Sequence, residues 1–148
     1  MALVSAAVAS AQTVGVAPAQ DFSTVPAMAG SWTYQALPGA SEARFIDTTN
    51  IARLVLRCTR AVRQVSISRT SSVAAPSIFV WTSSASRNLP ARFEPNAVRV
   101  TAELSAFDPL LDALAFSRGR IAVTMPGGLA LVVPAWPEAA RTIEDCRI

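Results

Sequence analysis

From Ser31 onward the chain sets apolar against polar residues in short runs, each broken by turn chemistry. Trp32, Tyr34 and Ala36 alternate with polar neighbours and stop at the turn pair Pro38-Gly39. The run Ser41 to Ile46 ends at Asp47-Thr48-Thr49-Asn50, residues that hydrogen-bond their own backbone in turns. Further runs cover Ile51 to Cys58, Gln64 to Arg69, Ser77 to Ser83 and Ala97 to Leu104. The last two, Arg120 to Met125 and Leu129 to Val133, meet at Pro126-Gly127-Gly128, which reads as a hairpin. Short strands at such close spacing predict a mainly β domain, a sandwich or barrel of mostly antiparallel strands.

Two short helices interrupt or close this pattern. Asp108 is placed as an N-cap, Pro109 suits the first helical position, and Leu110, Leu111 and Leu114 form an apolar stripe. Gly119 is the expected left-handed end of that helix. The second helix opens at Pro137, with Trp136, Ala140, Ile143 and Cys146 as its apolar seam, and is expected to dock on the β core.

The two cysteines fall on the inward faces of these elements. Cys58 follows Leu54 and Leu56 along one strand face, and Cys146 ends the seam of the C-terminal helix. Independent periodicities thus point both sulfurs into the core, and a disulfide between Cys58 and Cys146 is expected. Closing a loop of about 90 residues would contribute on the order of 4–5 kcal/mol in the chain-entropy description. Such a bridge persists in an oxidising compartment. Two cysteines without histidine or a second close pair do not complete a tetrahedral metal set, so no metal or cofactor is expected.

The N-terminus agrees with export. Residues 1–11, MALVSAAVASA, are small and apolar and end in the Ala-x-Ala pattern of a cleaved leader, although no basic residue precedes them. Residues 12–30 mix Pro, Gly and small side chains without a period and are expected to be a flexible arm before a single domain over 31–148. No run approaches the roughly 20 apolar residues of a membrane span. The expected location is periplasmic or secreted.

Composition removes whole classes of chemistry. All 13 basic residues are arginine, and there is neither lysine nor histidine. Imidazole acid–base catalysis, Schiff-base lysines and phosphate-loop lysines are therefore out of reach. The serine-rich stretch Thr82 to Ser86 has no such base to activate a hydroxyl. Asp108 and Asp112 lie one helical turn apart but read as an N-cap and a first-turn acid rather than as a catalytic pair. No catalytic residue is assigned.

Charge is unevenly spread. Between Thr48 and Phe93 there are seven arginines and no acid. With Leu54, Leu56 and Cys58 inward, Arg53 and Arg57 point outward. If that strand pairs with the next through Thr59 to Arg63, they share a polar face with Gln64, Ser66 and Ser68, and Arg60 and Arg63 decorate the turn. Arg53, Arg57, Arg60 and Arg63 are the candidate face for an anionic envelope component. Nucleic acid is not expected, because no stacking aromatics are interleaved with these arginines.

The C-terminal block Ala115 to Ile148, with Trp136-Pro137-Glu138 opening a helix and Asp145-Cys146-Arg147 near the end, resembles a group of uncharacterised exported proteins of Gram-negative bacteria. The order of helix, strand pair and closing cysteine is loosely similar to the invasion-associated locus B family of periplasmic β-sandwich proteins. Both resemblances imply the periplasm and the disulfide, and neither implies a catalytic residue. The leading expectation is a non-enzymatic binding or accessory module that uses a sheet face or edge. The alternatives are an interaction subunit using the N-terminal arm or an exposed edge, and an enzyme working on glycans with carboxylates alone.

Overall fold

The structure, a computed structural model, describes residues 20–148. The leader-like residues 1–11 and the first part of the arm lie outside them. Among the described residues ten strands form two antiparallel sheets. β1 (Gly30–Leu37), β2 (Ala40–Asp47), β3 (Ala52–Thr59) and β4 (Gln64–Thr70) run as a meander, with a single 3-10 turn at Arg60–Val62 between the last two. β5 (Ser77–Trp81), β6 (Ser86–Pro90), β7 (Arg92–Glu94) and β8 (Arg99–Ser105) follow. After α1 (Pro109–Ala115) come β9 (Arg120–Thr124), β10 (Leu131–Pro134) and α2 (Pro137–Asp145). The larger sheet has the order β1-β2-β3-β4-β8-β7, and the smaller has β10-β9-β5-β6. The fold is a two-sheet sandwich and not a closed barrel.

The strand alternation sets which side chains fill the sandwich. Leu54, Leu56 and Cys58 of β3, Val65 and Ile67 of β4, and Val100, Ala102 and Leu104 of β8 face inward. They meet Ile78, Val80, Ile121, Val123 and Val133 of the smaller sheet. On the β1 side the smaller sheet contributes Pro134 of β10, whose carbonyl accepts the Trp32 indole N–H. There α2 packs on β1, β2 and β3 and completes the second layer, with α1 against it. Cys58 and Cys146 are joined in a disulfide, their Cα atoms 5.5 Å apart, which fastens α2 to the third strand of the sheet.

Asp108 caps α1 by accepting from Leu110 N at 2.8 Å. The helix ends at Ala115 with Phe116 as its C-cap, so Gly119 does not terminate it. Gly119 keeps its left-handed backbone, φ +76°, and spends it on the turn into β9. The seam of α2 is also rotated from the expected one. Ala139, Thr142, Ile143 and Cys146 are buried, whereas Trp136 is the N-cap and stays 42% exposed. Pro137 fixes the start of the helix one residue later than a seam through Trp136 requires.

The segment expected to be a flexible arm is, over residues 20–29, a strap. Phe22 is only 2% exposed and meets Trp81 edge-to-face, with ring centres 5.7 Å apart. Together with Val25 and Ala27 it covers Ala122 and Val132 on the outer face of the smaller sheet. Arg120 donates to the carbonyls of Val25 and Ser23, at 2.5 and 2.8 Å, and Met28 N donates to Val132 O at 2.8 Å. Gly30 then turns the chain into β1, where a Cβ would strike the Ile46 carbonyl and the Phe45 ring.

Candidate functional site

The four arginines singled out from the sequence do not form one open face. Arg53 and Arg57 do point outward from β3, but acids from β2 are waiting for them. Arg53 Nε lies 2.6 Å from Asp47 Oδ2, and Arg57 Nη1 lies 2.6 Å from Glu42 Oε1. Arg44 holds the other Glu42 oxygen at 2.6 Å. The register Glu42↔Arg57 makes this pairing, which the acid-free stretch from Thr48 to Phe93 conceals. Burial pushes the Glu42 carboxyl up, and hydrogen bonds from Arg44 and Arg57 more than reverse this, leaving its pKa below the ordinary value. Asp47 is lowered further by hydrogen bonds from Thr49, Arg53 and the Ile51 amide. Arg60 and Arg63 sit apart on the β3–β4 turn, exposed and without an acidic partner among the described residues. Ser68, expected on the exposed face, is buried and bonded to the Thr101 hydroxyl at 2.9 Å.

The outer face of the larger sheet carries a polar cleft of about 160 Å³ lined by Arg57, Gln64, Ser66, Arg92, Arg99 and Glu94, with Glu103 on its wall. Two carboxylates thus share a cleft. Glu94 accepts from Arg99 at 2.5 Å, and Arg92 spans Glu94 at 3.1 Å and Glu103 at 2.8 Å. The Arg99 hydrogen bond outweighs burial and holds Glu94 below the usual carboxylate range. A glycosidic acid needs the opposite shift. Asp108 and Asp112 do not face each other chemically either. Arg87 pairs with Asp108 at 2.7 Å and Arg147 with Asp112 at 2.6 Å. Thr82 spends its hydroxyl on the Ala85 carbonyl at 2.6 Å, which closes the β5–β6 turn.

A different site emerges along β1, which no sequence motif marks. Among the described residues four strands are sheet edges, and three of them are guarded. β7 is three residues long with two charges, β6 carries Arg87 and ends in Pro90, and β10 ends in Pro134 and receives the strap at Val132. Charges, prolines, shortness and a covering segment are the usual means of keeping an edge from pairing. Among the described residues β1 has none of them. Its sequence GSWTYQAL is eight residues long, uncharged and regular, and among the described strands it pairs with β2 alone.

Beside that edge runs a groove of about 280 Å³ between β1 and the first turns of α2, lined by Trp32, Thr33, Tyr34, Pro137, Glu138 and Arg141. Trp32 anchors the floor by donating its indole N–H to Pro134 O at 2.7 Å. Tyr34 donates its hydroxyl to Asp145, and the Arg141 guanidinium lies 3.9 Å from the centre of the Tyr34 ring. Arg141 has no acidic partner among the described residues, and Glu138 Oε2 is buried with no hydrogen-bond partner. The groove wall therefore holds one open cation and one unmatched acceptor. The disulfide fixes this wall, because Cys146 is the C-cap of α2.

No protein-family model, curated protein or solved structure matches the chain. Among the described residues no helix is long and apolar enough to cross a membrane. A disulfide of this kind persists in an oxidising compartment.

Proposed function

We propose that this chain is an exported, periplasmic or secreted, binding module that takes up an extended segment of a partner protein as a seventh strand beside β1. The observation that carries this reading is the unguarded edge lying against a preformed groove. An incoming strand would find free backbone donors and acceptors on β1, and α2 would sort its side chains. Arg141 suits a carboxylate of that segment. The described part of the N-terminal strap is engaged on the chain's own second sheet, which favours the edge over the arm as the contact surface.

Peptide display against the oxidised protein tests the reading. Selected peptides should be extended and should bind the Arg57→Gln variant as well as the parent. Thr33→Lys with Ala36→Lys places two charges on the edge at exposed positions and should weaken binding tenfold or more. Peptides that ignore the edge charges but lose binding with Arg57 would move the site to the outer cleft.

A further inference from the structure

We propose that the end of the sandwich built from the β3–β4 turn, the β8–α1 turn and the α1–β9 turn docks on the surface of an anionic phospholipid bilayer. The topology brings these turns together. Ala106 N donates to Arg63 O at 2.8 Å, joining the β3–β4 and β8–α1 turns, and Arg118 N donates to Ser83 Oγ at 2.7 Å, joining the α1–β9 turn to the β5–β6 turn, whose following strand reaches Asp108 through Arg87 at 2.7 Å. On it stand three large apolar side chains that the core does not use: Val62 at 62% exposed, Phe107 at 56% and Phe116 at 77%. Between them lie Arg60, Arg63 and Arg118. None of the three has an acidic partner among the described residues, and the Arg63 guanidinium sits 5.9 Å from the Phe107 ring centre. The two acids of α1 and its cap are already paired, Asp108 with Arg87 and Asp112 with Arg147.

The opposite end separates the two ingredients. It too exposes apolar side chains, Val73 and Leu129 among them. Its arginines, however, are tied, Arg53 to Asp47 and Arg69 to the carbonyls of Val123 and Leu129. Among the described residues the first end joins open guanidinium groups to protruding aromatics and the opposite end does not. That combination matches a bilayer interface, where aromatic rings settle at headgroup depth and guanidinium forks hold phosphate oxygens. The proposal does not depend on the β1 groove having a peptide ligand.

Co-sedimentation with vesicles tests it, using the disulfide-bonded protein and either phosphatidylcholine alone or phosphatidylcholine mixed with phosphatidylglycerol. Binding should appear only with the anionic vesicles and fall as salt rises. Each arginine near such a surface contributes roughly fivefold in affinity, so Arg60→Gln with Arg63→Gln and Arg118→Gln should lose about a hundredfold. Phe116→Ser, at a position too exposed to matter for folding, should weaken binding to vesicles while leaving any attraction to a soluble polyanion unchanged. Equal binding to neutral and anionic vesicles would overturn the proposal. So would full competition by inorganic phosphate, or a Phe116→Ser variant that binds vesicles as the parent does.

Discussion

The two edges of the larger sheet, β1 and β7, are opposites. β7 has three residues, and Arg92 and Glu94 lock it into a charge network with Arg99 and Glu103. β1 has eight residues and no charge, and a groove runs beside it. An edge that aggregation pressure would normally blunt persists here in full length. The contrast teaches that exposure alone does not mark a surface for binding. What marks β1 is that, among the described residues, the protection supplied at the other three edges is withheld from it.

The largest way to break this contrast is to remove the disulfide. Cys146→Ser with Cys58→Ser should cost on the order of 4–5 kcal/mol, read from denaturant midpoints. It should also loosen α2 and with it one wall of the β1 groove, so peptide binding falls more than β7 amide protection does. Phe22→Ala comes next, at about 3 kcal/mol for a buried aromatic. Its effect should concentrate in hydrogen exchange of residues 20–29 and of β10, stripping the cover from a guarded edge while β1 and the disulfide remain as they are.

Acid sharpens the comparison by a smaller amount. Glu42, Asp47, Glu94 and Asp108 all have pKa values below their ordinary ones in the folded protein. A depressed folded value adds stability above the unfolded pKa of about 4, and that stability is lost as pH falls through the depressed values. Thermal stability should therefore be flat near neutrality and fall below about pH 4. The guard of β7 weakens in that range through Glu94, whereas none of these carboxylates lies on β1. The smallest effect belongs to Arg57→Met, which leaves the buried Glu42 carboxylate to Arg44 alone. About 1 kcal/mol should be lost, with Glu42 titrating at higher pH by NMR, and with no change at the β1 groove.

Much of the architecture could be read from the chain. Leu54, Leu56 and Cys58 announce an inward strand face, and Asp108-Pro109 announces a helix start, because both signals are local. β6 and β7 went unseen because Arg87, Asn88 and Arg92 lack an apolar alternation and gain strand structure only from partners. The strap was hidden for a related reason. Phe22, Val25 and Ala27 show no period, since they follow a flat sheet surface rather than a repeating element of their own. The arginine face failed through register. Glu42 and Arg57 are 15 residues apart in sequence and adjacent in the sheet, a fact that charge counting along the chain does not contain. The β1 site was least legible of all, because an edge is defined by what is absent beside it.

The central claim rests on the open side of β1, and amide hydrogen exchange reads that side directly. In the free protein, outward-facing amides within Ser31 to Leu37 should exchange quickly while those paired to β2 stay protected. A display-selected peptide should protect the fast set and leave Arg92 to Glu94 unchanged. Protection appearing at β7 or across the outer cleft, with β1 exchanging as before, would contradict the account.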